Sequence, residues 1–322
     1  MPSGLYIDYN DGRPALEITA GLRAPAISGT MDGGGEYYGT PPTPATISLT
    51  RVANSTLSLL PTNPVTIRLS STGLIPDIWV LKRMNVNGNT ATLIGSDGFS
   101  ESDRYRYGCK VVEVWPSSQQ SGQGLLIADS TDFTVIQTTD RARYMSIAWA
   151  GTVTFTGNYT LPVQGIPFGR WSNPNVTVGF DGTKLTCRQI SESYNDVNGT
   201  VTMYLVIFNT APPVPSAGLN YFNASGQCTF STNKKPFLFS KYVRPTNSFQ
   251  DIGNSLIQIC RTGGAVHHAA NFFVVRYTAI VMSGNLVRYD LNAKSYEWTD
   301  EYPPAAFSYP CQLDILAIPN VY

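Results

Sequence analysis

The fold class is decided by the stretch FFVVRYTAIV, which covers Phe272–Val281, and by the turn signal Ser283-Gly284-Asn285 that follows it. The stretch is rich in aromatic and β-branched residues, which suit the pleated, half-buried surface of a sheet. A glycine between serine and asparagine is typical of a tight reversal of the chain. The segment is therefore predicted to be a β-strand that turns back into a second strand.

The same pattern recurs along the whole chain. Its clearest further examples are Leu5–Tyr9, Val65–Ser71, Ile78–Met84, Lys110–Trp115, Val153–Phe155, Val201–Phe208 and Gln312–Ile318. Turn signals separate them, so strands recur at intervals of about ten residues, a spacing typical of sandwiches and barrels. Helix signals are confined to a turn or two within Asn247–Arg261 and Thr262–Ala270. The sequence predicts an all-β protein of two or more β-sandwich-like domains.

A proline-rich segment marks the clearest domain boundary. Residues 211–216 read APPVPS, and three prolines in six residues are incompatible with the interior of a sheet. We interpret 211–216 as a linker between an N-terminal β region, 1–210, and a C-terminal β domain, 217–322. A weaker break is predicted near Asp140.

The charge balance argues against nucleic acid as a partner, and the lack of a long apolar run argues against membrane insertion. Lysine and arginine number 22, aspartate and glutamate number 22, and charged residues make up only 14% of the 322 residues. This balance gives no long-range attraction to nucleic acid. No run approaches the ~20 apolar residues that a membrane-spanning helix needs. Neither nucleic-acid binding nor membrane insertion is expected.

The N-terminus and the cysteines indicate folding in a cytoplasm, or export by a route that uses no N-terminal signal. Met1-Pro2-Ser3-Gly4 lacks the basic start and the apolar run of a signal peptide. The cysteines are odd in number, far apart and without a CxxC pair, so they are expected to be buried free thiols. They are Cys109, Cys187, Cys228, Cys260 and Cys311.

Signals of catalysis and of metal or cofactor binding are weak. His267 and His268 are adjacent, so in a strand they face opposite sides, and no G-x-S-x-G elbow accompanies them. Asp97, Glu101 and Asp103 lie in one polar loop but do not match a calcium-loop pattern. The 22 acidic residues leave glycoside hydrolysis by a pair of carboxylates as an open possibility. The sequence shows no solenoid repeat of the kind found in polysaccharide depolymerases. We expect no enzyme activity, no cofactor and no metal.

Two aromatic segments are the candidate contact sites. The run Tyr296–Pro304 contains Trp298 and Tyr302, and Tyr37-Tyr38 lies between a glycine triplet and a proline-rich stretch. Aromatic faces beside carboxylates suit a subunit interface or stacking against a sugar. Tyr37, Tyr38, Tyr296, Trp298 and Tyr302 are therefore candidate interface or glycan-contact residues. The alternative is that Trp298 is core and the others are turn residues.

An internal repeat is the remaining pattern. Gly4-Leu5 and Gly218-Leu219 each open a segment with a glycine eight residues after the first, at Gly12 and Gly226. If the segments are copies, both form hairpins, the two later glycines take equivalent turn positions, and both leucines point into a core. Two hairpins that resemble each other by chance are the alternative.

The same residues carry a family resemblance. Gly4-Leu5-Tyr6-Ile7-Asp8-Tyr9-Asn10-Asp11-Gly12-Arg13-Pro14 resembles the start of small tail-tip proteins encoded beside the tail fibre in bacteriophages with long, non-contractile tails, and in phage-tail-like bacteriocins. The segment Gly218–Ser231 resembles a hairpin that recurs in the same class. The resemblance implies folding in the bacterial cytoplasm, release by lysis and, in many members, a trimer near the tail tip. It brings no catalytic residue.

From these observations we expect a structural virion protein of the distal tail, at the tip, baseplate or fibre, that contributes to host-surface attachment. Its expected partners are other tail proteins, further copies of itself in a homotrimer, and a cell-surface glycan or protein receptor. A carbohydrate-binding module and a tail-borne polysaccharide hydrolase are the alternatives.

Overall fold

The structure is a computed structural model in which all regular secondary structure is β. It describes residues 4–7, 16–19, 25–38, 44–69, 77–114, 124–126, 135–137, 145–215, 218–222, 225–226, 228–232, 234–239, 241–269, 272–298, 307–310 and 312–322. None of these residues is helical, which confirms the all-β prediction.

The strands are numbered in chain order. They are β1 (Gly4–Ile7), β2 (Leu16–Thr19), β3 (Ala26–Met31), β4 (Gly35–Tyr38), β5 (Thr46–Ser48), β6 (Thr56–Asn63), β7 (Val65–Leu69), β8 (Asp77–Asn87), β9 (Thr90–Ser96), β10 (Glu101–Ser102), β11 (Gly108–Val114), β12 (Gly124–Leu126), β13 (Val135–Gln137), β14 (Ser146–Thr156), β15 (Asn158–Thr160), β16 (Ile166–Phe180), β17 (Lys184–Gln189), β18 (Thr200–Asn209), β19 (Asn220–Phe222), β20 (Cys228–Ser231), β21 (Lys241–Val243), β22 (Gln250–Asp251), β23 (Ser255–Gln258), β24 (Arg261–Ala269), β25 (Phe272–Ser283), β26 (Leu286–Trp298), β27 (Phe307–Pro310) and β28 (Ile315–Pro319).

Two larger sheets, together with the two-stranded pairs β1-β2 and β12-β13, form the described N-terminal part. One has the order β3-β11-β6, and the other has the order β10-β9-β8-β7-β4 with β5 on the far side of β9. Their facing sides enclose a core that includes Leu81, Leu93, Tyr107 and Val111, all completely buried. This arrangement is sandwich-like, because two sheets cover one apolar layer.

A single 13-stranded sheet forms the rest of the molecule, from β14 to β28, without β19 and β20. Its spine is β16, whose first half pairs with β18 and β23 and whose second half pairs with β17 and β25. The register of β16 against β25 shifts between Asn173 and Val178. Pro174 lies in that interval and has no N–H to donate, so the strand can bend there. The bend lets one strand serve both halves of the curled sheet.

The sheet crosses the segment that the sequence predicted as a linker. Residues 211–215 are largely exposed and carry no strand, as expected for proline-rich chain. Yet β16 and β18, before this segment, share the sheet and the core with β23, β25 and β28, after it. The predicted boundary at 211–216 therefore does not separate two cores. The change of sheet falls earlier, between Val114 and Ser146, an interval that contains the weaker break predicted near 140.

Hairpin turns follow the predicted glycines. Gly88, between β8 and β9, has a φ of 55°, and Gly284, between β25 and β26, has a φ of 63°. Both angles lie in the left-handed region that glycine adopts without a Cβ clash. The turn or two of helix predicted within Asn247–Ala270 is wrong, because β22, β23 and β24 occupy that interval. Every residue of Ser255–Gln258 is buried, so this strand shows no alternation in the sequence.

The two segments of the predicted repeat both form antiparallel strand pairs. Tyr6 pairs with Glu17 in one, and Asn220 pairs with Ser231 in the other. Adding 214 to the first pair of residue numbers gives the second pair, so the two hairpins share one register. Pairing and register thus agree with the repeat hypothesis.

The rest of the repeat prediction has a mixed outcome. Gly226 has a φ of 77°, as a turn glycine should. Gly12 and the side chain of Leu5 lie outside the described residues. The prediction that Leu219 points into a core is wrong, since Leu219 is 41% exposed. It precedes the first residue of β19, and its N–H bonds the Thr232 hydroxyl, which holds it at the sheet margin.

The four described cysteines are buried and form no disulfide with one another, as the sequence predicted. They are Cys109, Cys187, Cys228 and Cys260, and Cys311 lies outside the described residues. Each packs as a small apolar side chain.

The N-terminal sheets and the large sheet pack on each other through two shared cores. In one, Ile27, Leu60 and Val112 contact a set that includes Phe168 and Phe208. The other joins residues of β7 and β8 to residues of β24 and β25. Gln258 reinforces the first contact, because its amide donates to the Pro61 carbonyl and accepts from Leu316 N at 3.2 Å. The three larger sheets therefore form one packed body.

Candidate functional site

The loop between β9 and β10 presents an aromatic side chain to solvent. Asp97 Oδ1 accepts hydrogen bonds from Phe99 N at 2.9 Å and from Ser100 N at 2.7 Å. Because the carboxylate accepts from two backbone N–H groups of its own loop, it stabilises the turn from within. At its tip, Phe99 is 92% exposed, the highest exposure among the large apolar side chains described.

Tyr309 supports this loop from below. The rings of Phe99 and Tyr309 lie 6.4 Å apart at 75°, an edge-on contact. Tyr309 in turn lies 4.8 Å from Phe307. Gly98 has a φ of 92°, and a Cβ there would lie 2.0 Å from Tyr309 Cε1, so only glycine fits between loop and ring. We call Phe99, Phe307 and Tyr309 the aromatic face.

Four of the five aromatic candidates predicted from the sequence lie on two strands that a hydrogen bond joins. Tyr37 and Tyr38 are on β4, while Tyr296 and Trp298 are on β26. Ser295 Oγ donates to Glu36 Oε1 at 2.9 Å, which brings the two strands together. Tyr302 lies outside the described residues.

Tyr296 packs against the same core as two residues of the aromatic face. It is half-buried and packs with Phe307 and Tyr309 against the core that contains Ile67 and Val275. Tyr296 is therefore a strand residue that packs against this core, whereas the alternative interpretation assigned it to a turn.

The loop 190–199 lies over the C-terminal end of β26, where the charged side chains of Lys294 and Glu297 hold it. Tyr194 donates to the Glu297 carboxylate, and the Lys294 ammonium lies 4.3 Å from the Tyr194 ring centre. Hydrogen bonds from Lys294 and Tyr194 hold the pKa of Glu297 below its usual range. The Phe272 ring packs 4.7 Å from Tyr194. The loop thus extends the aromatic surface beyond β26.

A buried ion cluster anchors this loop to the sheet. Asp196 pairs with the buried Arg276 and, at 3.2 Å, with Arg188. Arg276 also donates to the Ser193 carbonyl at 2.8 Å. Burial raises the pKa of Asp196, but the Lys294 N–H and the two arginines outweigh burial and hold it below its usual range. Asp196 is therefore a structural anion.

The residues weighed for catalysis or metal binding have structural roles. His267 is buried and His268 exposed, which confirms that they face opposite sides of β24. Burial lowers the pKa of His267, and the charge of Arg276 lowers it further. Glu101 pairs with Lys82 and Arg83, and Asp97 is engaged in its own turn. Within the described ranges, no three His, Cys, Asp or Glu side chains are placed to hold a metal ion.

Sequence reasoning missed Phe99. The signal for it is the turn Asp97-Gly98-Phe99-Ser100, in which an aromatic residue follows a turn-forming aspartate and glycine. Such a turn leaves its third side chain without a neighbouring strand to cover it.

Among the described residues, no helix of membrane-spanning length and apolarity is present. The model of a protein family described as "Family of unknown function (DUF6453)" matches residues 4–300. No curated protein and no solved structure matches the chain.

Proposed function

We propose that this chain, which belongs to the DUF6453 family of unknown function, is a structural, non-enzymatic protein of a phage-type tail, at its tip, baseplate or fibre. It folds in the bacterial cytoplasm, is released by lysis in the virion, and contributes to attachment to the host surface. Its partners are other tail proteins and further copies of itself in a homotrimer. The resemblance of Gly4–Pro14 to small tail-tip proteins supports the tail assignment.

The observation that carries the assembly role is the exposure of Phe99. An aromatic side chain that is 92% exposed leaves a large apolar area in water. Asp97 holds the loop that presents it, so little conformational entropy is lost when a partner covers the ring. Buried aromatic anchors of this kind contribute most of the binding energy in many interfaces. The aromatic face is thus suited to contact with another protein chain.

The chemistry of the thiols and histidines supports a non-enzymatic role. Burial raises the pKa of Cys109 and of Cys187 to about 12, which removes both from nucleophilic chemistry at neutral pH. His267 is buried beside Arg276 and stays neutral, and His268 is on the opposite face of the strand. These groups therefore do not form a nucleophile and base pair.

The tail assignment is tested by locating the chain in particles. Antibodies raised against the purified chain are expected to label the distal end of intact tails in negative-stain electron microscopy. Labelling of the capsid, or recovery of the chain only in the soluble fraction of the lysate, would contradict the tail assignment.

The role of the aromatic face is tested by Phe99→Ser. We expect the variant to sediment as a smaller species than the wild type and to be depleted from purified tails. Phe222→Ser is the matched control, because it removes a phenylalanine that is 47% exposed on the β19–β20 hairpin. Equal assembly of wild type and Phe99→Ser would count against the aromatic face as an interface.

A further inference from the structure

Three adjoining cavities form a furrow along β3 and the residues after it. Cavities of about 490 Å³ and about 430 Å³ share Ile27, Lys110 and Thr210 as walls. The second of these, the central cavity, shares Asp32 and Gly33 with a third of about 280 Å³ that reaches Glu36. The furrow is therefore elongated, and its two larger cavities fall within the ~300–1,000 Å³ typical of ligand pockets.

The central cavity lies where the N-terminal sheets meet the large sheet. Its floor is apolar and buried, with Ile27 from β3, Ile166 from β16 and Phe208 from β18. The turn after β16 and the segment after β18 form one wall, and β11 with the end of β6 forms the other. Because several packed strands shape it, the cavity is preformed.

Asn63 gives the central cavity an unused hydrogen-bond donor. Its side chain is 97% buried, since the residue keeps only 3% of its accessible surface. Arg261 donates to Asn63 Oδ1 at 3.3 Å, which fixes the orientation of the amide. No described residue accepts from Asn63 Nδ2, and Asn63 lines the cavity. An amide N–H on a cavity wall that has no protein acceptor can donate to a ligand acceptor there.

Other polar groups around the cavity are also available. Lys110 makes no ion pair among the described residues, and the Gln164 side chain is exposed at the rim. Asp181 uses Oδ1 to accept from Thr183 N and Lys184 N, both at 2.9 Å, which leaves Oδ2 for a ligand. Donors and acceptors of both charges therefore surround an apolar floor.

We infer that this furrow binds a neutral oligosaccharide. A sugar chain presents hydroxyl groups, which donate and accept, around apolar C–H faces, and the furrow offers amide, ammonium and carboxylate groups around an apolar floor. The carboxylates of Asp32 and Asp181 and the ammonium of Lys110 give no strong preference for an ionic ligand. The elongated shape fits several sugar units. The inference goes beyond the proposed assembly role and does not rest on it.

Asp181 is suited to binding a sugar and not to acting as the acid in its hydrolysis. Burial raises the pKa of Asp181, but the Lys184 N–H and the Thr183 hydroxyl and N–H outweigh burial and hold it below its usual range. The general acid of a glycoside hydrolase must be protonated near neutral pH, which requires a raised pKa. Asp181 is therefore a hydrogen-bond acceptor for sugar hydroxyls.

The test is binding of the purified full chain to an array of neutral oligosaccharides of two to six units, with sialylated and sulfated oligosaccharides on the same array. The best neutral hit is then titrated by calorimetry against variants. Lys110→Met removes the ammonium and keeps the stem, and Thr210→Trp fills the opening shared by the two larger cavities. Each is expected to weaken binding at least tenfold. Lys241→Met and Thr152→Trp are the matched controls outside the furrow, expected to stay within twofold.

Three results would overturn the inference. One is the absence of binding to any neutral oligosaccharide at millimolar concentration. Another is binding restricted to sialylated or sulfated chains, which would indicate an anion site. The third is a neutral hit whose affinity survives both Lys110→Met and Thr210→Trp while thermal unfolding shows both variants folded.

Discussion

Ser295 Oγ donates a hydrogen bond of 2.9 Å to Glu36 Oε1, across a separation of 259 residues. This contact joins β26 of the large sheet to β4 of the N-terminal part, at the junction where the two predicted aromatic segments meet. Both groups are exposed, so the bond contributes little free energy by itself. The bond shows that two parts of the chain that lie far apart in the sequence form one surface.

Tyr322→Phe should destabilise the fold by about 1–3 kcal/mol, because it leaves buried polar groups unpaired. The Tyr322 hydroxyl accepts from Leu238 N at 2.8 Å and donates to the Pro236 carbonyl at 3.0 Å. Urea unfolding monitored by fluorescence measures the change. Tyr159→Phe is the control, since the Tyr159 hydroxyl makes no hydrogen bond in the described part of the chain and should change stability little. Equal losses for both variants would contradict the prediction.

Asp196→Asn should cost roughly 2–4 kcal/mol at neutral pH, because it leaves Arg276 buried with a weaker partner. The folded pKa of Asp196 is depressed, so its stabilisation is complete above the unfolded pKa of about 4 and is lost as the pH falls through the folded pKa. The stability gap between wild type and variant should therefore narrow below about pH 4.

Asp314→Asn is the control for this pH dependence. Asp314 pairs with Arg244 at 2.8 Å on the surface, where both side chains are largely exposed. Such pairs contribute about 0–1 kcal/mol. Unfolding midpoints measured from pH 7 to pH 3 should show a small and nearly constant gap for this variant. The same pH profile for both variants would argue against a special role for Asp196.

Cys109 and Cys187 should resist thiol reagents in the folded protein. Burial raises the pKa of each thiol to about 12, and the thiolate is the reactive form. With a chromogenic disulfide reagent at pH 8, neither should react until denaturant is added, when all five cysteines of the sequence should titrate. Peptide mapping identifies the labelled positions, and rapid labelling of native Cys109 would show that its site opens.

Gly98→Ala should destabilise the protein by roughly 1–3 kcal/mol and displace Phe99. The φ of 92° disfavours alanine, and the added Cβ would collide with the Tyr309 ring. Gly88→Ala measures the free-energy cost of the positive φ alone, because Gly88 has a φ of 55° and nothing lies within 4 Å of an added Cβ. Thermal unfolding compares the two, and a cost for Gly98→Ala no larger than that for Gly88→Ala would rule out the contact with Tyr309.

Strand positions were predictable because alternation and turn glycines are local properties of the sequence. Phe272–Val281 and the turn at Gly284 specify β25 and its partner β26 directly. The pairing of Phe168 with Gln258 has no such signal, because nothing in either segment identifies the other. The prolines at 212, 213 and 215 therefore indicate a linker in the sequence, although the sheet includes strands on both sides of them.

The candidate site was predictable only as far as residue type allows. The density of aromatic residues indicates Tyr296, which packs, like Phe307 and Tyr309, against the core that contains Ile67 and Val275. Phe99 was missed because a single phenylalanine in a polar loop has no periodic pattern around it. The furrow was missed because its walls come from segments that lie far apart in the sequence and carry ordinary polar residues.

The shared sheet around 211–215 has a consequence for the integrity of the chain. A protease that cuts this exposed segment would leave two fragments whose strands remain paired from β16 to β23 and β25. The nicked protein should therefore migrate as two bands in denaturing electrophoresis and as one particle in its native state. The two halves, produced as separate polypeptides, would then be a complementation pair that refolds only when mixed.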